Sequence, residues 1–432
     1  MVICRSSPRA ATQQRRPPWT SWARSFGRPT KAVVAGDVRA NENIALTALH
    51  KLFAREHNRI VAALPAFLSA EEKFQIARRV VGAELEYITY TQFLPAVGVR
   101  LSPYTGYEPT VNPGLSNEFA VVGYRAHSMI HGEFDVAAAA GTYTSAQLAA
   151  FTARGIAVTQ TADQILLNVP LNAAFGAPDL LRQLGLGTTL ESLGERQYKN
   201  DEQMDNALRS VLFQVPKPGT PDPAVCGEPV DHPECFKGVT DLGAIDIARG
   251  RNHGMPTYND LRRAYGLAPK TSFIDITGEA TQRFPNDPLI NASDPINDPN
   301  ILDFVRLLDD NGNVIAFGSP DASESAVVGI RRTTLAARLG AIYRNVDTLD
   351  AFVGMVAERH VRGTEFGELQ LAMWKKQFEA LRDGDRFFYR NDPVLRVIHL
   401  GFGIDYRHTL SEILKLNTGV TLPANVFKFA GG

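Results

Sequence analysis

The chain has 432 residues, of which 44% are hydrophobic and 21% are charged, a composition typical of globular proteins. Its formal net charge of -1 argues against a general binder of nucleic acid or of anionic membranes, because either partner favours an excess of basic residues. No apolar run approaches the roughly 18 residues of a membrane span. The three cysteines are too few and too irregularly spaced for a disulfide framework or a zinc cluster.

Residues 1–32 differ from the rest of the chain in composition and in apolar patterning. Between Met1 and Lys31 there are seven basic residues, two tryptophans, no acidic residue and no periodic apolar pattern. The apolar stretch of about 7 to 15 residues that a secretory signal needs is missing. Three interpretations stay open, namely a disordered basic arm, a transit-like segment, or a stretch not translated in the frame of the rest. The abrupt change at Val33 favours the third, and residues 33–432 are predicted to form one domain.

Helical periodicity dominates from residue 36 onward. Apolar residues recur at helical spacing over residues 41–63, and Ser69 with Glu72 forms a capping-box pattern before a second helix over 70–90. A third helix is predicted over 117–130. The pattern predicts further helices at 201–213, 258–265, 333–342, 349–357 and 368–381.

Strand signals are sparse. The clearest is a hairpin of residues 304–308 and 314–317 around the turn pair Asn311 and Gly312. Asp-Pro pairs at 294–299 indicate a loop, without the ligand spacing of a helix-loop-helix calcium site. The sequence therefore predicts a mainly α fold with a minor β-hairpin.

Taken residue by residue, the polar groups of interest have ordinary interpretations. A lone histidine such as His127, in an apolar helical pattern, is more often a hydrogen-bonded core residue than a metal ligand. Taken alone, Asp246 is interpreted as a helix cap or as the acidic partner in an ion pair with Arg249 or Arg251. Arg39 reads as part of a surface ion pair.

Several motifs change these interpretations, because they occur together and in a fixed order. The chain resembles the animal haem peroxidases of the peroxidase-cyclooxygenase superfamily over residues 35–428. The motifs are Ala-Gly-Asp-Val-Arg-Ala-Asn-Glu-Asn at 35–43, Arg-Glu-His-Asn-Arg at 55–59, the stretches 77–84 and 88–95, Asp-Ile-Ala-Arg-Gly-Arg-Asn-His-Gly-Met-Pro-Thr-Tyr-Asn at 246–259, and the stretches 381–389 and 416–419.

The resemblance implies a haem b cofactor whose iron is bound by His127, the proximal ligand. Asp246 occupies the position of the residue that accepts a hydrogen bond from the other ring nitrogen. Such a partner fixes the tautomer of the imidazole and strengthens it as a ligand, and an anionic partner does so more than an amide. An aspartate there is expected to favour the oxidised iron.

The resemblance also assigns residues around the haem. Arg39 matches the distal arginine, whose charge stabilises the anion that develops when the peroxide bond breaks. Glu42 matches a carboxylate that some members link covalently to the haem edge. Arg249 matches a residue that binds a haem propionate. The second propionate arginine usually lies three residues before the proximal histidine, where this chain has Tyr124, so Arg125 is the weaker candidate.

One catalytic group of the family has no counterpart. Peroxide cleavage needs a proton shuttle on the open face of the iron, and the family supplies a distal histidine upstream of the Arg39 motif. The 38 residues before Arg39 contain no histidine, and the family's calcium-binding loop is also missing. The sequence is consistent with a truncated or altered N-terminal part, and loss of the shuttle alone is expected to cost about 10²- to 10⁴-fold in rate.

The predicted function is reduction of hydrogen peroxide with oxidation of a small organic or halide electron donor. A fatty-acid oxygenase of the same superfamily and a catalytically silent haem-binding protein are the alternatives. The resemblance implies an extracellular location, although the chain shows no signal peptide. No nucleic-acid partner is expected.

Overall fold

The computed structural model describes residues 32–130, 132–195, 208, 212, 214–216, 236–286, 304–308, 312–316, 328–331 and 333–428. Three sequence predictions fall outside these ranges. They are the distinct segment 1–32, of which only the last residue is described, the helix over 201–213 apart from two residues, and the loop at 294–299.

The described chain is mainly helical, as the sequence predicts. Within the described ranges the α-helices are α1 Ile44–Ala63, α2 Ala70–Ile88, α3 Leu94–Ala96, α4 Ser145–Thr152, α5 Leu171–Ala174, α6 Leu180–Leu184, α7 Leu186–Glu195, α8 Leu242–Asn252, α9 Tyr258–Ala264, α10 Phe273–Thr277, α11 Leu335–Tyr343, α12 Ala351–Ala357, α13 Glu368–Asp383, α14 Pro393–Phe402 and α15 Leu410–Thr418. Short 3₁₀ turns lie at Val38–Asn41, His127–Met129 and Val346–Thr348, and π-helical turns at Thr89–Phe93 and Phe119–Gly123.

The two long N-terminal helices form where the sequence places them. The side chain of Asn43 caps α1 by accepting a hydrogen bond from the amide of Leu46. The predicted capping box is present before α2, where Ser69 and Glu72 satisfy each other's backbone amides. These caps fix the start of each helix and leave their apolar faces to pack against the rest of the domain.

The β-structure exceeds the single hairpin that the sequence predicts. The hairpin itself is confirmed, since β6 (Phe304–Leu308) pairs antiparallel with β7 (Val314–Ile315), and β8 (Val328–Arg331) adds a third strand. A second antiparallel sheet has the order β1-β3-β2 and comprises β1 Glu133–Ala139, β2 Ala157–Gln160 and β3 Gln164–Pro170. A two-stranded pair joins β4 Gln214–Pro216 to β5 Phe236–Val239.

The predicted third helix ends earlier than expected. It begins at residue 117 but widens into the π turn Phe119–Gly123, and the residues that follow leave the helix. His127 therefore lies on a short 3₁₀ turn instead of the helix predicted over 117–130. The reason is local: the amide of Tyr124 bonds the carbonyl of Phe119, five residues back, so the regular four-residue pattern is lost.

A large apolar core supports the region of this turn. Val121 and Val122 are buried among side chains of α9 to α13, including Tyr258 and Met373. A separate apolar cluster packs the sheet of β1, β2 and β3 against α4 and α6, and another joins α1 to α7 and α15. No helix in the described part of the chain combines the length and apolar character needed to cross a bilayer.

Candidate active site

The backbone just before His127 is anchored to helix α13. The carbonyl of Gly123 accepts hydrogen bonds from Nε1 of Trp374, at 2.7 Å, and from Nε2 of Gln370, at 3.1 Å. A Cβ atom at position 123 would lie 3.0 Å from Cε and 3.2 Å from Cβ of Met373, so only glycine fits without displacing that side chain. These contacts with helix α13 therefore fix the position of the backbone at the end of the π turn, four residues before His127.

His127 and Asp246 are in direct contact although 119 residues separate them. Nδ1 of His127 donates a hydrogen bond to Oδ2 of Asp246 at 2.6 Å. A carboxylate can only accept, so Nδ1 carries a proton, and in the neutral imidazole Nε2 holds the lone pair. No described residue donates to or accepts from Nε2, and the His127 side chain is 24% exposed. The imidazole is thus held in the tautomer and orientation that suit a metal ligand.

Asp246 is fully buried on helix α8, with its charge shared among basic groups. Arg249, one turn further along the helix, donates from a terminal nitrogen to Oδ1 of Asp246 at 2.6 Å. The ion pair with Arg249 that the residues alone suggested is therefore present, together with the contact to His127 that the resemblance implied. Arg251 points elsewhere and binds Asp350.

Arg125 completes a cationic group around this carboxylate. Its Nε lies 4.0 Å from Oδ1 of Asp246, too far for a hydrogen bond, and has no hydrogen-bond partner among the described residues although it is buried. Burial and the nearby charge of Arg249 lower the pKa of Arg125. Two guanidinium groups therefore face a single carboxylate.

This arrangement fits a haem group. The unpartnered Nε of Arg125 and the remaining donors of Arg249, which uses one terminal nitrogen for Asp246, leave capacity to bind an additional anion such as a propionate. His127 offers a free Nε2 for iron. An anionic ligand carrying a metal would satisfy both the uncompensated positive charge and the open imidazole nitrogen.

The distal candidates lie on the 3₁₀ turn before α1. Arg39 is 70% exposed and forms a bidentate ion pair with Asp37, whose hydrogen bonds raise the pKa of Arg39. Glu42 ends the turn, and its pKa is raised by burial although Arg39 opposes the shift. Within the described residues, no hydrogen bond or ion pair joins Arg39 or Glu42 to the His127 group.

The charged residues of the Arg-Glu-His-Asn-Arg motif connect helices. Glu56 is buried and accepts from Arg59 and from the side chain of Asn417 on α15. Arg55 donates to the backbone carbonyl of Asn417. The motif thus connects α1 to the last helix of the domain.

Sequence reasoning missed the anchoring role of Gln370 and Trp374. It depends on a contact across 247 or more residues, which no local pattern reveals. The surface ion pair that Arg39 suggested when taken alone is present, and its partner, which the sequence analysis did not name, is Asp37. Gly123 was a visible signal, because an isolated glycine in a helical pattern marks a break or a close approach.

The chain belongs to the animal haem peroxidase family, whose sequence profile matches residues 6–289 and 320–427. It is 29% identical to thyroid peroxidase of Sus scrofa over 410 residues, covering 91% of this chain and 34% of that protein. It is 26% identical to peroxidasin of Drosophila melanogaster over 379 residues, covering 84% of this chain and 19% of that protein. The chain therefore spans about a third or less of the length of these relatives.

Solved structures share the fold. Peroxidase A from Dictyostelium discoideum superposes with a TM-score of 0.64 at 24% identity, covering 93% of this chain and 60% of that one. A fatty acid alpha-dioxygenase from Oryza sativa reaches a TM-score of 0.55 at 16% identity, with the same coverages. At these identities the likeness establishes the mainly helical fold of the family and no particular activity.

Proposed function

We propose that this chain is a haem-dependent peroxidase domain that reduces hydrogen peroxide and oxidises small organic or halide donors. The hydrogen bond of 2.6 Å between Nδ1 of His127 and Oδ2 of Asp246 carries the proposal. It prepares a neutral imidazole with a free Nε2, and a buried anion strengthens that imidazole as an iron ligand. Family membership supports haem as the metal group.

The residues around His127 have distinct roles in this proposal. When bound, haem supplies an iron centre that exchanges electrons between peroxide and the donor. Arg125 and Arg249 bind its propionates, since both have donors to spare beside Asp246. In this proposal Glu42 lies near the haem edge.

Arg39 has the role of stabilising negative charge on the peroxide. In the structure its guanidinium is paired with Asp37, so binding of peroxide requires Arg39 to exchange this exposed partner for the substrate. An exposed ion pair contributes little to stability, and that exchange is therefore inexpensive. The extracellular location implied by the family remains part of the same proposal.

A catalytically silent haem-binding protein is the second candidate. The ion pair of Arg39 with Asp37 favours it, because this guanidinium is engaged by a carboxylate in the structure. A fatty-acid oxygenase activity has no support beyond likeness of fold.

Haem reconstitution followed by guaiacol oxidation separates these candidates. We expect a Soret band on addition of haem and peroxide-dependent turnover of guaiacol that free haem at the same concentration does not match. A Soret band without such turnover contradicts the peroxidase proposal and leaves the silent binder. Absence of a Soret shift contradicts both.

A further inference from the structure

Aromatic rings form a line that begins at the anchor of the His127 turn. The indole of Trp374 is buried and bonds the carbonyl of Gly123, four residues before His127. Its ring centre lies 5.4 Å from that of Phe378 and 5.8 Å from that of Phe119. The line therefore starts at the backbone segment that leads into the proposed haem ligand.

Tyr90 lies in the middle of the line. Its ring is 6.0 Å from Phe378 and 5.1 Å from Phe388, and its hydroxyl donates to the carbonyl of Phe378 at 3.1 Å. Phe388 in turn packs 4.4 Å from Tyr389. Successive ring centres from Trp374 to Tyr389 are thus all within the usual range of packed aromatic pairs.

The line ends at three mutually packed tyrosines. Tyr389 lies 5.7 Å from Tyr87 and 5.7 Å from Tyr406, and Tyr87 lies 6.3 Å from Tyr406. All three are partly exposed. We call Tyr87, Tyr389 and Tyr406 the surface tyrosine cluster. Arg390 is exposed beside it, and its positive charge acts on Tyr389 and Tyr406.

The redox chemistry of these side chains suits electron transfer along the line. Indole and phenol side chains can lose one electron to a strong oxidant, whereas phenylalanine cannot and serves to fill the gap between them. Electron transfer over a few ångströms between packed rings is fast compared with turnover. A tryptophan bonded to the backbone four residues before His127, a tyrosine midway and three partly exposed tyrosines at the other end therefore make a route for electrons.

We propose that the surface tyrosine cluster is a second oxidation site, where phenolic donors too large for the haem pocket deliver electrons that travel through Tyr90 and Trp374. The inference rests on the proposed function, because the oxidant at the other end of the line is the haem group after its reaction with peroxide.

The electrons and protons balance at the cluster. Each oxidising equivalent removes one electron from a tyrosine there, whose phenolic proton leaves to solvent water. A phenolic donor then gives one electron and one proton and restores the tyrosine. Trp374 passes its electron without losing its proton, since Nε1 stays bonded to the Gly123 carbonyl. At Tyr90 the phenolic proton shifts along its hydrogen bond to the Phe378 carbonyl when the electron leaves, and it returns when the next electron arrives. The sum is H₂O₂ + 2 ArOH → 2 ArO• + 2 H₂O.

The first test examines the line without peroxide chemistry. Zinc protoporphyrin is bound in place of haem and oxidised by light with a soluble electron acceptor, and a spin trap marks protein radicals for peptide mass spectrometry. Adducts are expected on the surface tyrosine cluster. Tyr90→Phe should lower the yield of these adducts by about tenfold or more, because it removes the redox-active phenol in the middle of the line while changing only one hydroxyl group. Tyr143→Phe is the control, since Tyr143 packs on Phe151 in the core cluster beside the sheet of β1, β2 and β3.

The second test uses the haem protein with peroxide and two donors. Guaiacol is small, and carboxymethyl dextran bearing tyramine is too large for a pocket. Replacing all three cluster tyrosines with phenylalanine should reduce dextran oxidation by about tenfold or more while guaiacol turnover stays. Equal loss with both donors, or no loss with the dextran, overturns the second site.

The outcomes distinguish the two proposals. Bound zinc protoporphyrin that yields no adduct on the cluster overturns the line of rings, even where guaiacol turnover supports the peroxidase. Adducts without guaiacol turnover support the line and contradict the peroxidase function. Failure to bind the porphyrin overturns both.

Discussion

At the scale of single residues, one buried carboxylate organises the candidate site. Asp246 accepts from His127 through one oxygen and from Arg249 through the other, so a single side chain orients the proposed ligand and the proposed propionate partner. The motif order allowed His127, Asp246 and Arg249 to be named from the sequence. Their mutual contact could not be read from spacing, because it joins residues 119 positions apart and depends on how α8 packs.

Asp246→Asn tests this carboxylate. An amide accepts a weaker hydrogen bond from Nδ1 and removes a negative charge beside the ligand, so the ferric state loses stabilisation. We expect the Fe(III)/Fe(II) potential of the haem protein to rise on the order of 60 mV, which corresponds to a tenfold change in relative affinity. Spectroelectrochemical titration measures it, with Asp241→Asn at the cap of the same helix as the control. An unchanged potential removes Asp246 from the surroundings of the iron.

At the scale of elements, periodicity predicted the long helices but not their interruptions. Helices α1 and α2 have clear apolar stripes and caps, so their existence and starts followed from the sequence. The sheet of β1, β2 and β3 was missed, although Ile165, Leu167 and Val169 alternate toward the core as a strand requires. The early end of the third helix follows from the hydrogen bond between the amide of Tyr124 and the carbonyl of Phe119, five residues back, which apolar periodicity does not reveal.

Gly123→Ala tests the anchoring of the His127 turn. The added methyl group would press on Met373, and we expect a loss of about 1–3 kcal/mol in the free energy of unfolding, as for other overpacked cores. Urea denaturation measures the change. Gly82→Ala is the matched control, because nothing lies within 4 Å of its position in α2 and alanine favours a helix. A Gly123→Ala protein as stable as the control protein contradicts the proposed close packing.

At the scale of the whole molecule, buried acids link the helices and make stability depend on pH. Burial raises the pKa of Glu84 and of Glu86 to about 7, and the hydrogen bond to Glu84 raises the pKa of His408. Glu84 lies on α2 and His408 just before α15, so their bond of 3.1 Å joins the two ends of the described domain. The sequence indicated charged groups here, but burial, which sets these shifts, follows only from the assembled fold.

The sign of the pH dependence of the free energy of unfolding follows from these pKa shifts. A group whose pKa is higher in the folded than in the unfolded protein stabilises the fold at low pH and loses that contribution as pH rises through the folded pKa. Glu84 and Glu86 therefore lose stabilising effect between pH 4.5 and about 7, and His408 loses its own above pH 6.5. We expect the free energy of unfolding to fall over this window, on the order of 3 kcal/mol for Glu84. Glu84→Gln should flatten the slope in urea titrations at pH 5 to 8, and an identical slope contradicts the assignment.

The most direct test of the central claim is haem titration of the wild-type chain and of His127→Ala, followed by the Soret band. The control is His399→Ala, which removes an exposed histidine on α14. If His127 holds the iron, its replacement lowers haem affinity by about 100-fold or more, because the axial ligand is lost, and the control binds as the wild type does. Equal haem affinity and an unchanged Soret band in His127→Ala contradict the account.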